Sequence, residues 1–99
     1  MRLQPEQIDS IKRHTLGIFG SQPLVRLFGS RLNDAARGGD VELHVDCPVA
    51  IESPAVVITR LAVACSRTMS GRKVDVLLSA PGLLEQPMHC VARQEGVAL

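Results

Sequence analysis

A chain of 99 residues with a formal net charge of +1, 45% apolar and 21% charged, has the make-up of one folded domain and not of a disordered segment. It is small for an enzyme that must enclose two substrates, so a partner is expected; the oligomeric state stays open, with a homo-oligomer among the options. Phe19 and Phe28 are its only aromatic residues, and with near-neutral charge this leaves neither a base-stacking platform nor a basic surface, which argues against direct nucleic-acid binding.

From Pro5 to about Phe19, Ile8, Ile11, Ile18 and Phe19 fall on one helical stripe, with Glu6, Lys12 and Arg13 largely off it. This predicts an amphipathic helix ending near Gly20. Pro23 opens a β-prone run, Leu24 to Phe28, which stops at Gly29-Ser30. Asn33, Asp34 and Gly38-Gly39 mark a short helical or looped connection. The alternation of Val41 to Val45 then predicts a strand with Val41, Leu43 and Val45 on one face and Asp40, Glu42, His44 and Asp46 on the other. Ser53-Pro54 starts a helix by its N-cap and proline chemistry, apolar through Val57, Ile58, Leu61, Ala64 and Cys65, and expected to stop at Gly71. Lys73 to Leu78 reads as a third strand that leaves Asp75 opposite Val74, Val76 and Leu78. A weak helix from about Pro87 to Glu95 and a terminal edge strand, Val97 to Leu99, complete the order. The expected fold is α/β (α+β): one domain over residues 1–99, a small mixed sheet with helices packed on one face, and an open face carrying Asp40, Glu42 and Asp75.

Cys47, Cys65 and Cys90 are odd in number and form no C-x-x-C pair, which points to reduced thiols of a cytoplasmic protein and not to a disulfide framework or zinc knuckle. The stretch Met1 to Asp9 has no apolar signal region, and no apolar run has membrane-spanning length, so no membrane partner is expected.

The acids carry the chemistry. Three carboxylates on one face repel unless a cation lies among them, and magnesium suits oxygen ligands while keeping positions for water and phosphate. Two such ions can clamp an in-line phosphoryl or nucleotidyl transfer. Gly29 lets backbone approach a phosphate, and Ser30 adds a hydroxyl donor. Arg31 and Arg37 flank the turn and match triphosphate oxygens through planar forks; Lys73, beside Asp75, is a weaker candidate. Taken singly, each feature has a plainer reading: Gly29-Ser30 as a strand-ending turn, Asp40 and Glu42 as a solvated strand face, Asp75 as an edge charge. Combined on one predicted face, they favour a metal site. His44 on that face is a second-tier candidate, at least as well read as a surface histidine without a role, and neither His14 nor His89-Cys90 has metal-ligand spacing.

Residues 27–45, LFGSRLNDAARGGDVELHV, resemble the signature of the minimal nucleotidyltransferases of the DNA polymerase β superfamily. There a Gly-Ser turn precedes an acid-x-acid strand, and a third acid follows on a later strand; Gly29, Ser30, Asp40 and Asp75 match it, and the order of elements follows over about residues 5–99. The resemblance implies a magnesium-dependent nucleotidyltransferase using ATP, with Asp40 and Glu42 bridging two metal ions and Asp75 ligating the one near the acceptor hydroxyl. Ser30 and the nearby backbone would hold the nucleoside triphosphate. It also implies a partner, a small helical protein of the HEPN class, to which the chain, as the antitoxin of a toxin–antitoxin pair, would transfer AMP. Glu42 departs from the family's aspartate. Its extra methylene moves the carboxylate by roughly an ångström where small misplacements cost large factors in rate. An active enzyme, a slow one, and a catalytically impaired module that binds nucleotide or neutralises its partner all remain open.

Overall fold

In a computed structural model that describes residues 3–20, 22–29 and 40–99, each of the three helices among those residues begins on a proline: α1 (Pro5–Phe19), α2 (Pro54–Thr68) and α3 (Pro87–Glu95). The fixed φ of proline suits the first helical position, and its missing N–H costs nothing there. In α1 the Gln7 side chain reaches back to accept the Gln4 N–H at 2.8 Å, and in α3 the His89 ring does the same for the Gln86 N–H at 3.0 Å. Each satisfies a donor that the helix itself leaves orphaned. The second helix stops at Thr68, short of the expected Gly71. Ser70 and Gly71 both take positive φ, and the Gly71 N–H returns to the Ser66 carbonyl at 2.9 Å, closing the last turn early.

Among the described residues four strands, β1 (Leu24–Phe28), β2 (Val41–Asp46), β3 (Val74–Ser79) and β4 (Val97–Ala98), form one mixed sheet in the order β3-β2-β1-β4. β1 runs antiparallel to β2 and β4, whereas β2 and β3 are parallel and are joined by the α2 crossover. The architecture is the α+β class that the element order predicts. Val25, Leu27, Val41, Leu43, Val45, Val74 and Leu78 supply the inner sheet face, and Ile11 and Phe19 of α1 with Leu61 and Cys65 of α2 close over it. Leu27, Leu43 and Leu61 are fully enclosed, and burial of each such side chain stabilises the fold by about 1.5–3 kcal/mol.

The third helix lies over the opposite face. Its buried residues are His89 and Ala92, and its polar side chains meet Asp46 and the β3 backbone. The face expected to be open is therefore covered where His44, Asp46 and Ser79 lie, while Glu42 stays half-buried and Asp75 exposed. Among the described residues, no helix is long and apolar enough to cross a membrane.

Candidate functional site

Parallel pairing places Glu42 opposite Asp75 on neighbouring strands, with both side chains on the face turned away from the α1–α2 core. Partners in such a ladder are about 4.8 Å apart, so backbone register alone brings these two acids together. Asp40 lies one residue before β2, and the Lys73 ammonium joins it to Asp75, at 3.8 Å from Asp40 Oδ2 and 3.8 Å from Asp75 Oδ2. The backbone is tied at the same place, because Val41 N–H donates to the Lys73 carbonyl at 2.9 Å.

Glu42 turns the other way. Gly29, at φ +82°, packs so closely on its carboxylate that a Cβ at position 29 would overlap Glu42 Oε2. Glycine is thus required twice, by the left-handed backbone and by the acid beside it. Asp40 and Asp75 share a cation while Glu42 faces the Gly29 backbone, and among the described residues no three His, Cys, Asp or Glu side chains are gathered closely enough to hold a metal ion. The donor set nevertheless suits magnesium in kind: hard carboxylate oxygens, one pair already sharing a positive charge, beside a backbone cradle that any side chain at position 29 would fill. Ser30, Arg31 and Arg37 lie outside the described residues.

Two residues further along β2 is a site that the sequence reading missed. His44 is not a surface histidine: it is 0% exposed. Its Nδ1 faces Arg26 Nη1 at 3.2 Å and its Nε2 faces Ser79 Oγ at 2.8 Å. Arginine can only donate, so Nδ1 accepts, Nε2 carries the proton, and His44 donates to Ser79. Ser79 in turn donates to Glu85 Oε2 at 2.9 Å. This polarity is the reverse of a serine nucleophile activated by histidine, where Nε2 must accept the hydroxyl proton. In this arrangement Ser79 accepts from His44 and donates to Glu85, tying β2, β3 and the segment before α3 together.

Burial, and then the Arg26 guanidinium, hold the His44 pKa below its ordinary value, against a smaller opposing pull from Asp46. Arg93 bonds to both Asp46 and Glu85. Its hydrogen bond lowers the Glu85 pKa, and Glu85 raises that of Arg93. His89 uses both nitrogens: with Nδ1 accepting from Gln86, Nε2 donates to the Leu78 carbonyl at 3.0 Å. A cleft of about 280 Å³ opens beside Ser79, Glu85 and Arg93. The available signal was the polar character of His44, Asp46 and Ser79 at the same ends of their strands. Seeing it required the β2–β3 pairing, which no local pattern encodes.

No protein-family model matches the chain, and no curated protein is found to be similar to it.

Proposed function

We propose that this chain is a magnesium-dependent nucleotidyltransferase that transfers a nucleotide, AMP from ATP, to a protein partner in the cytoplasm, and that it serves as the antitoxin of a pair whose other member is a small helical HEPN-class protein. The observation that carries the reading is the in-register pair of Glu42 and Asp75 on parallel strands, with the Gly29 backbone pressed against Glu42. It supports the motif resemblance of residues 27–45 from a different direction, because pairing between distant segments brings together what the motif only spaces along the chain.

In this reading Asp40, Glu42 and Asp75 would hold the metal, and Gly29 with Ser30, Arg31 and Arg37 would hold the triphosphate. Bound magnesium would supply charge neutralisation for the in-line transfer. The exposed Lys73 ammonium would add positive charge beside the phosphates, and the half-open face would admit a protein acceptor. Incubation with labelled ATP, magnesium and the protein encoded beside it should label that protein, and Asp40→Asn should abolish the label. Undiminished labelling by Asp40→Asn would remove these residues from the reaction.

One observation favours the second reading, a module that neutralises its partner without turnover. Lys73 already bridges Asp40 and Asp75 while Glu42 faces Gly29, so the three acids do not converge. On that reading Asp40→Asn leaves neutralisation of the partner intact.

A further inference from the structure

The outward side of α2 alternates valine and arginine. Val56, Arg60, Val63 and Arg67 succeed one another at steps of four, three and four residues, which stacks them on one face of the helix. All four are exposed, the valines at 56% and 44%. Beside this stripe α1 and α2 enclose a groove of about 450 Å³, with Ile18 and Val63 among its walls and His14, Arg60 and Arg67 as its titratable groups; among the described residues its lining includes no acid. α2 has none in its own sequence, and the ion pairs among the described residues lie elsewhere, at Arg26, Lys73, His89 and Arg93. We propose that this face of α2, with the groove beside it, is the docking surface for an acidic amphipathic helix of a partner protein. It does not depend on the nucleotidyl-transfer reading, because α1 and α2 cover the sheet face opposite to Glu42 and Asp75.

Singly exposed apolar residues are ordinary. An exposed valine is nevertheless a poor choice for the helix itself, since it loses rotamer freedom against the preceding turn and gains no burial. Two of them seven residues apart on one face, interleaved with arginines, suit a counter-surface that is apolar and acidic in alternation. Charge decides between the possible occupants. A second copy docked α2 against α2 would set arginine against arginine. A nucleic acid would complement the guanidinium groups but place the valines against phosphate, and the groove has no aromatic residue to stack a base. A helix with an apolar stripe flanked by Asp or Glu matches both residue types, and Val56 to Arg67 offers it about 16 Å, or about three turns.

Selection from a displayed library of helix-forming peptides against the immobilised full chain tests this, with the recovered peptides then measured in solution by fluorescence anisotropy. They should carry net negative charge and an apolar stripe, and should bind less tightly as salt rises. Arg60→Gln combined with Arg67→Gln should weaken them roughly three- to tenfold, and Val63→Ser roughly threefold or more. Leu16→Ser, exposed in a different groove of α1, should leave them unchanged. Every substituted side chain is exposed, so the variants should keep the fold, which an unchanged circular dichroism spectrum checks. Recovery of no peptide, recovery of basic or uncharged ones, or binding that survives the double arginine variant overturns the proposal. So does a concentration-dependent dimer that Val63→Ser dissolves, which would assign the face to a second copy. Tighter binding of a single-stranded oligonucleotide than of the peptides would likewise overturn it, in favour of nucleic acid.

Discussion

At Gly29 two constraints meet in one residue, a left-handed backbone and the near contact with the Glu42 carboxylate. Gly29→Ala should cost about 1–3 kcal/mol, from strained backbone and displaced acid together, measured as a lower urea midpoint. Gly17 is the internal comparison. It lies in α1, where an added Cβ would meet nothing within 4 Å, and Gly17→Ala should stabilise by about 0.5–1 kcal/mol. Equal effects of the two changes would mean that Gly29 has no special environment. At this scale the carboxylates were legible because strand side chains alternate with period two, and Gly29 because a turn needed it. The cation between Asp40 and Asp75 was not, since spacing along the chain does not show which acid a flexible lysine will reach.

Among the elements, α3 differs from the other helices in what holds it. α1 and α2 bury Ile11, Phe19, Leu61 and Cys65, whereas α3 buries His89 and Ala92 and is otherwise fastened by Arg93, Glu85 and the His44–Ser79 pair. Polar fastening makes its docking sensitive to pH. The groups facing His44 are Arg26 from β1, Asp46 from β2, Ser79 from β3, and Arg93 and His89 from α3. Because the folded His44 resists protonation, the unfolded chain takes up the proton first. Its contribution is complete above the ordinary histidine value of 6.5 and is lost as the pH falls below it. Glu85, lowered by the Arg93 bond, has a contribution present above its ordinary value of 4.5 and lost as the pH falls below that. Denaturation midpoints should therefore decline between pH 7.5 and 5.5, and His44→Gln should flatten that decline; an unchanged slope would show that His44 is not its source. This helix was the least legible element in position, though not in extent. A stripe of aliphatic residues announces the face it buries, whereas a buried histidine and alanine, with Met88 and Val91 left exposed, announce none.

For the molecule as a whole, the three thiols report on integrity. Cys47 and Cys65 are buried, Cys90 is exposed, and burial pushes the Cys65 thiol up to about 11. A thiol reagent at pH 8 should modify Cys90 alone in the folded protein, with Cys47 and Cys65 reacting only at the rate of unfolding. Prompt modification of all three would contradict the packing of α2 on the sheet. The extents of the helices and of the three longer strands were legible because apolar periodicity and proline or glycine punctuation agree at almost every boundary. Strand order was not, because it depends on which buried faces satisfy one another.

The position of β2 has one more consequence. β2 is flanked by β1 on one side and β3 on the other, so Glu42 belongs to a strand paired along both edges, while Asp40 lies one residue beyond its start. The two acids thus differ in compliance. Glu42 is held in a strand bonded along both edges, whereas Asp40 is held through its neighbour's single bond to the Lys73 carbonyl. In the proposed function a ligand would therefore find Glu42 fixed in place and Asp40 able to adjust by a backbone rotation.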